Sequence, residues 1–326
     1  MDGSGPPRKV VVGTVIRGYY AAEPSTQGRQ TIAADLIERV AAEAERKYPG
    51  RGVDLIALPE SAVTSGQRGA PEVRAVDLEG DVLDTFGGLA RKHSTYIVLP
   101  MALATDRARG VFHNAAALID RTGAVAGIYR KVHVVAHVMT DVLEGGMTPG
   151  ESFPVFDCDF GRIGIQICYD VCYEDGWEAL AAQGAELVVW PTASPATASA
   201  ARHAARGEYF VVSAPWRDNA TIFEPTGLVA ARITPPDELL VHEIDLASMV
   251  LPWSERLRNG EALRERFGDR VGFHYEPMED VGLFWSNDAA TPIAEMSRQI
   301  GVRSLRDELE RNRQLQDAAR GGSPKM

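Results

Sequence analysis

The stretch GIQICYDVCYED, residues 164–175, joins a short apolar run to a run of acidic and aromatic residues. Residues 163–168 have the composition of a buried strand, and Cys168 falls where that strand is predicted to end. In open α/β sheets, ligands collect in the crevice beyond the carboxyl ends of the strands. The segment therefore predicts an α/β protein whose Cys168 thiol projects from the end of a sheet into a cleft.

Cys158 and Cys172 are weaker candidates for a nucleophile than Cys168. Cys172 follows on an early helical turn, and we expect it to pack, whereas Cys158 in FDCDFG is predicted at a hairpin entrance without a helper group. The C-x-x-x-C spacing differs from the C-x-x-C of redox motifs, so thiol–disulfide exchange is not expected. The alternative is that Cys168 and Cys172 are both small buried hydrophobic residues, a common role of free cysteine.

Apolar runs rich in Val, Ile and Leu alternate with helical patterns up to about residue 245. The predicted strands are 9–16, 53–58, 96–103, 112–120, 162–168, 186–190, 209–213, 228–233 and 239–244. The predicted helices are 30–47, 80–92, 177–183 and 196–206. VDLIALPESA at 53–62 and AELVVWPTAS at 185–194 resemble each other, which indicates two similar βαβ halves. Such an alternation indicates sheets that are covered by helices.

Composition and charge exclude several classes of protein. The 326 residues are 45% hydrophobic and 24% charged, and the net charge of -11 without a basic stripe argues against a nucleic-acid partner. No secretory signal is visible, and no apolar stretch approaches the roughly 20 residues that cross a bilayer. Three cysteines crowded between positions 158 and 172 do not suggest a disulfide framework. We therefore expect a cytoplasmic protein that binds neither nucleic acid nor a membrane.

The last 80 residues differ in character. The stretch after residue 245 is charged and aromatic, with few strand patterns, and 302–322 reads as a polar helix with a thin stripe of Leu305, Leu309 and Leu315. The final GGSPKM is expected to be a disordered tail. Because the segment carries five aromatic residues between 267 and 285, we expect it to pack on the body of the protein or on a neighbouring subunit.

Two charged residues lie at other predicted strand ends. Glu60 closes ALPES, and Lys131 lies in GIYRKVH after a predicted hairpin. Alone, each is consistent with an ordinary surface charge or ion-pair partner. A thiol, however, reacts as its thiolate and needs a base or a positive charge nearby. Together, these residues and Cys168 place an acid, a cation and a thiol at three strand ends.

ALPES, GIYRKVH and IQICYD, in that order, resemble the three signature segments of the nitrilase superfamily, the carbon–nitrogen hydrolases. Secondary marks are HNAAALIDRTG at 113–123, VVWPTAS at 188–194 and ARGEYFVVSA at 205–214. The resemblance implies a four-layer α-β-β-α sandwich over residues 1–245, with a C-terminal extension over 246–326. It also implies a homodimer or a higher homo-oligomer.

The resemblance also assigns roles to the matching residues. Glu60 would be the general base, Lys131 the electrostatic stabiliser and Cys168 the nucleophile, with the backbone N–H of Tyr169 as a second oxyanion donor. Glu144 in VLEGGMTPG would orient Lys131 and the attacking water, or else cap a turn. No organic cofactor is implied. The four-residue spacing of the two histidines in KVHVVAHV lacks a metalloprotease pattern, so no metal is expected.

The implied reaction is hydrolysis of a linear amide or an N-carbamoyl amine through a thiol ester on Cys168. Tyr169 and Asp170 after the thiol resemble the amidase and carbamoylase branches, and the acidic VCYEDGW segment favours a neutral or cationic substrate. Trp190 and Tyr173 are candidate pocket walls, or core residues. The competing hypotheses are nitrile hydrolysis, acyl transfer by the same residues, and a non-enzymatic scaffold protein of this fold.

Overall fold

The computed structural model describes residues 3–18, 25–64 and 70–321. The chain divides into two compact units. One is Val10–Ile244, and the other combines the residues up to Lys9 with those from Asp245 onward. No helix in these described ranges is long and apolar enough to span a membrane.

The unit Val10–Ile244 is built on two six-stranded sheets. Its strands are β1 (Lys9–Val15), β2 (Leu55–Ala57), β3 (Tyr96–Asp106), β4 (Val111–Ile119), β5 (Val125–Arg130), β6 (Val155–Cys158), β7 (Gly161–Ile165), β8 (Leu187–Thr192), β9 (Phe210–Pro215), β10 (Ala220–Phe223), β11 (Val229–Ile233) and β12 (Leu239–Asp245). Its helices are α1 (Thr26–Lys47), α2 (Pro71–Arg74), α3 (Asp81–His93), α4 (Asp175–Ala182) and α5 (Thr197–Gly207).

The two sheets share one plan. The first has the order β12-β1-β2-β3-β4-β5 and the second the order β11-β10-β9-β8-β7-β6. In each, three parallel strands lie centrally, β1-β2-β3 and β7-β8-β9, and antiparallel strands continue beyond them. The repeated segments 53–62 and 185–194 supply the middle parallel strands, β2 and β8. The prediction of two similar halves is therefore confirmed.

Helices cover the outer face of each sheet, and the inner faces meet. Alternate β1 residues such as Val11 pack against α1 and α3, while Trp177 of α4 packs on the second sheet. The intervening β1 residues Val10, Val12 and Thr14 are also buried. One of these, Thr14, donates its hydroxyl to the Ser213 carbonyl of β9 at 2.7 Å, which joins the sheets. The four-layer α-β-β-α sandwich is confirmed.

The other unit has its own small core, contrary to the expectation of few strands after residue 245. Its strands are β13 (Met249–Pro252), β14 (Val271–Glu276) and β15 (Val281–Ser286), and its helices are α6 (Glu261–Phe267), α7 (Ile293–Gln299) and α8 (Leu305–Ala319). The strands form an antiparallel sheet in the order β13-β15-β14. Phe273 and Phe284 stack across two of them at 5.1 Å, so aromatic cross-strand pairing replaces the aliphatic pattern that sequence reasoning looks for.

The predicted polar helix at 302–322 is present as α8. It begins after Ser304, whose hydroxyl accepts from the Asp307 backbone N–H at 3.1 Å. Leu309 and Leu315 are more than half exposed, so the leucine stripe does not form a buried face in this chain. From residue 322, the predicted disordered tail lies outside the described residues.

Candidate active site

Cys168 stands at the start of a short turn beyond the end of β7. The 3-10 helix Cys168–Cys172 follows the strand after two residues, and Cys168 has a φ of 45°. A non-glycine residue in this left-handed region is strained, and such strain clusters at functional sites. The Trp190 indole N–H donates to the Cys168 carbonyl at 3.1 Å and holds the turn against β8. The thiol therefore has a backbone position that its neighbours enforce.

Asp170 fixes the rest of this turn from inside. It is fully buried, and its carboxylate accepts from the Ile167 N–H at 2.8 Å and the Tyr129 hydroxyl at 2.8 Å. It also accepts from the His133 backbone N–H at 3.0 Å, and the His133 ring lies 3.0 Å away. These bonds tie the cysteine turn to β5 and to the segment that carries Lys131.

Lys131 joins two carboxylates in a buried cluster. Its side chain is 1% exposed, and Nζ lies 3.2 Å from Glu60 Oε1 while also pairing with Glu144 Oε1. Asn114 of β4 donates to both acids, at 2.9 Å to Glu60 and 3.0 Å to Glu144. The Glu144 backbone has a φ of 41°, so a second residue of the cluster is held in a strained conformation. The four side chains form one hydrogen-bonded network.

The Cys168 sulfur lies beside this network. The charges of Glu60 and Lys131 both act on the thiol, and the backbone N–H of Ala193, just beyond β8, lies near the sulfur. The structure thus brings together Glu60, Lys131, Glu144 and Cys168, which come from four separate segments of the chain. Asn114 and the Ala193 N–H were missed by sequence reasoning. Asn114 does fall within HNAAALIDRTG, where a polar residue in an otherwise apolar strand was the available signal.

Electrostatics keep the resting thiol protonated. Burial, followed by the charge of Glu60, raises the pKa of Cys168 to about 12, although Lys131 acts in the opposite direction. Lys131 thus favours the thiolate, as its role of electrostatic stabiliser implies, but burial and the Glu60 carboxylate outweigh it in the resting protein. For Lys131 itself, burial lowers the pKa, but the charges of Glu60 and Glu144 raise it well above its usual range. The ammonium is charged throughout the physiological pH range.

Three other predicted residues lie around the cysteine turn. Trp190 is fully buried in the core beneath the second sheet, so it supports Cys168 and does not line an open cleft. Tyr169 and Tyr173 are 37% and 41% exposed, and their rings pack edge to face at 5.7 Å. Tyr173 also stacks on His133 at 3.9 Å. These two tyrosines are available to contact a substrate.

The acidic residues after the thiol are already partnered. Beside the buried Asp170, Glu174 pairs with Arg206 at 2.6 Å and Asp175 with the His133 ring at 3.3 Å. The argument from these acids for a neutral or cationic substrate is therefore weakened, because each carboxylate has an ion-pair or hydrogen-bond partner within the protein. His137 bonds the Thr140 hydroxyl at 3.1 Å, so the two histidines of KVHVVAHV have separate partners.

The other two cysteines differ in their surroundings. Cys172 is exposed at the end of the 3-10 helix, so the expectation that it packs is wrong. The turn that directs Cys168 inward brings the residue four positions later to the surface. Cys158 is half-buried on β6, and burial raises the pKa of its thiol to about 12.

Alkylation should separate these thiols. At neutral pH, we expect iodoacetamide to modify the exposed Cys172 before Cys168, and Cys168 labelling to rise about tenfold per pH unit below its pKa. In Glu60→Gln, the loss of the carboxylate charge should lower the Cys168 pKa and speed its labelling. Peptide mass spectrometry over a pH series measures each site. Labelling of Cys168 that is equally fast at all pH values would contradict the protonated resting thiol.

His133 should contribute a pH-dependent part of the stability. Its hydrogen bond to Asp170 comes first among the causes that raise its pKa in the folded protein. The contribution is therefore complete below the unfolded pKa of about 6.5 and is lost as pH rises through the higher folded pKa. Urea unfolding of wild type and His133→Asn over this window tests it, since the variant should lack this loss. An equal pH slope in both proteins would refute the contribution.

Replacing the buried Asp170 should lower the free energy of unfolding by more than replacing His133. In Asp170→Asn, the side-chain amide has only one accepting oxygen, and its NH₂ group faces a group that donated to the carboxylate. We therefore expect the free energy of unfolding to fall by about 2 to 3 kcal/mol. Urea unfolding measures it, and Asp175→Asn, which changes an exposed partner of the same histidine, is the matched control. Equal small losses in both variants would contradict the structural role of Asp170.

The four-layer α-β-β-α sandwich places the chain in a defined structural class. A model described as carbon-nitrogen hydrolase matches residues 24–251. The chain belongs to the carbon–nitrogen hydrolase family, and the suspected membership of the nitrilase superfamily is thereby confirmed.

Individual known proteins resemble the chain at lower identity. The Omega-amidase NIT2 of Homo sapiens is 25% identical over 241 residues, which cover 67% of this chain and 86% of that protein. The Probable nitrilase C965.09 of Schizosaccharomyces pombe is 28% identical over 142 residues, covering 43% of this chain and half of that protein. The crystal structure of Saccharomyces cerevisiae Nit3 matches with a TM-score of 0.61 and 19% identity over 80% of this chain and 95% of that one. The family model supports hydrolysis of carbon–nitrogen bonds, and the structural match supports the fold.

Proposed function

We propose that this protein hydrolyses a linear amide or an N-carbamoyl amine through a thiol ester on Cys168. One observation carries the proposal: the charges of Glu60 and Lys131 both act on the Cys168 thiol, and the Glu60 carboxylate lies 3.2 Å from the Lys131 ammonium. A nucleophile, a base and a fixed positive charge are thus within reach of one another. The name of the human relative, an omega-amidase, favours an amide over a nitrile.

Acylation follows from this arrangement. Glu60 takes the thiol proton while sulfur attacks the carbonyl carbon, so a neutral thiol at rest suits a base that lies beside it. Lys131 and the Tyr169 N–H stabilise the negative charge that develops on the carbonyl oxygen. The protonated Glu60 then gives its proton to the departing nitrogen, the carbon–nitrogen bond breaks, and ammonia or an amine leaves.

Deacylation uses the same groups in reverse. Water attacks the thiol ester and loses a proton to Glu60, and the collapse of the second tetrahedral intermediate expels the sulfur, which regains that proton. Glu144 contacts Lys131 and Asn114, so its role is to hold the ammonium and position this water. The product is a carboxylic acid, or carbamic acid if the substrate is a carbamoyl amine.

A substrate panel tests the proposal. Purified protein is given linear amides, N-carbamoyl amines and nitriles, and released ammonia or amine is measured, with Cys168→Ala as the control. We expect turnover of amides or carbamoyl amines only in the wild type. Intact mass of Glu144→Ala should show an acyl adduct on Cys168, whose mass identifies the acyl group. Hydroxamate formed with added hydroxylamine would indicate acyl transfer, and no turnover or adduct at all would favour a non-enzymatic scaffold.

Assembly and location complete the proposal. We infer a cytoplasmic homodimer or higher homo-oligomer, with residues 246–326 packing on the body or on a neighbouring subunit. Sedimentation of the full chain at several concentrations measures the assembly, and a monomer throughout would refute it.

A further inference from the structure

A cavity lies behind the strands that carry the catalytic cluster. Its volume is about 330 Å³, and its wall is formed by β4, β5 and the loop 148–154. His113 and Arg130 come from the two strands, and Thr148, Glu151 and Ser152 come from the loop. None of these residues contributes a side chain to the cluster around Cys168.

Strand geometry places this cavity on the helix side of the first sheet. Arg130 pairs in register with Ala115, whose side chain packs in the core beneath α1 and α3. Successive residues of a strand face opposite sides. His113 and Arg130 therefore face away from Asn114 and Lys131, their neighbours in the chain. The cavity and the catalytic cluster lie back to back across one sheet.

The polar side chains of the cavity are suited to binding an anion. Arg130 forms no ion pair or hydrogen bond to a side chain in the described part of the chain. His113 is 6% exposed, and its Nδ1 lies 2.8 Å from the Thr105 hydroxyl. Burial and the charge of Arg130 lower the pKa of His113. The imidazole ring is therefore neutral, and it lines the cavity beside a guanidinium that has no ion-pair partner among the described residues.

The remaining wall specifies the rest of the ligand. Val111, Ile128 and Pro154 contribute apolar surface, which suits a hydrocarbon chain. The carboxylate of Glu151 disfavours a ligand with several negative charges, such as phosphate. A guanidinium binds one carboxylate through two parallel hydrogen bonds. The cavity therefore suits a small monocarboxylate.

We propose that this cavity binds a small carboxylic acid in its ionised form, with the carboxylate on Arg130 and the hydrocarbon chain against Val111 and Ile128. The site requires no turnover and stands whether or not the proposed function is correct. Because Gly150 of the loop donates its N–H to the Lys131 carbonyl at 2.8 Å, the ligand would lie one hydrogen bond from the backbone of the catalytic lysine.

Titration calorimetry with sodium pentanoate tests this site, with Cys168→Ala used throughout so that nothing is consumed. We expect saturable binding, at least about tenfold weaker in Arg130→Gln because a charge-assisted pair is lost. Glu151→Gln should bind about threefold tighter, since a repelling charge at the exposed loop is removed. Pentanamide and inorganic phosphate should both bind more weakly than pentanoate.

The matched control is Glu144→Gln, which removes the same charge from the catalytic cluster and should leave pentanoate affinity unchanged. A shift there as large as in Glu151→Gln would mean that pentanoate occupies the catalytic cluster, and it would overturn the proposal. Unchanged affinity in Arg130→Gln, or equal affinity for pentanamide, would overturn it as well. The opposite signs expected for Arg130→Gln and Glu151→Gln cannot result from general loss of folding.

Discussion

Cys168→Ala is expected to lower kcat/KM for the proposed substrates by at least about a thousandfold, which corresponds to about 4 kcal/mol of transition-state stabilisation. The variant removes the sulfur atom that is proposed to form the covalent bond to the carbonyl carbon. Released ammonia or amine measures the loss, and intact mass should show no acyl adduct. The Trp190 indole N–H holds the backbone carbonyl of residue 168, and the substitution leaves that bond in place, so stability should change little.

Cys172→Ala is the matched control for this experiment. It lies four residues away at the exposed end of the same 3-10 helix, so activity and stability should stay close to wild type. Equal losses in the two variants would point to disruption of the turn and would remove the reason for assigning Cys168 as the nucleophile. Full activity in Cys168→Ala would end the thiol ester mechanism.

Lys131→Met should have the largest effect on stability. The methionine has a similar length but leaves the buried Glu60 carboxylate and the partly buried Glu144 carboxylate without their cation. Breaking a buried ion pair from one side costs about 3 to 5 kcal/mol. Urea unfolding should show this loss, and turnover should fall with it because the developing oxyanion also loses its ammonium.

A double-mutant cycle separates the charge from the packing of this lysine. In Glu144→Gln, the loss caused by Lys131→Met should be smaller by about 1 to 3 kcal/mol, because one of the stranded carboxylates is then neutral. Lys92→Met, at an exposed ion pair with Glu38, should cost no more than about 1 kcal/mol. Additive losses in the cycle would mean that Lys131 and Glu144 do not interact in solution.

Most of the sandwich was predictable from local pattern. The nine strands expected up to residue 245 are all present within a few residues, because a strand buried on both faces is a continuous apolar run. Three strands were not among the nine: β6 and β10 have only four residues each, too short to form such a run, and β5 was expected only as part of a hairpin. In the second unit, β13 was missed because it has only four residues, and β14 and β15 because glycine and aromatic residues interrupt their aliphatic pattern. Cross-strand pairing identifies all three as strands.

The sequence predicted which residues form the candidate site, but it did not predict their protonation states or their partners. The order of ALPES, GIYRKVH and IQICYD was enough to select Glu60, Lys131 and Cys168. Asn114 was not selected, because its role is to bridge Glu60 and Glu144, and those residues meet only in the folded chain. Similarly, the pairing of Glu174 with Arg206 depends on two helices that are far apart in sequence.

By itself, the amino-acid sequence determined the alternation of strands and helices, the doubled βαβ plan and the family, since these follow from short-range composition and motif order. Tertiary structure alone decided that Cys172 is exposed, that the acids after the thiol are paired, and that the Cys168 thiol is protonated at rest. The physical reason is that burial and charge–charge interactions are sums over groups that lie close in space, whereas a sequence shows only which groups lie close along the chain.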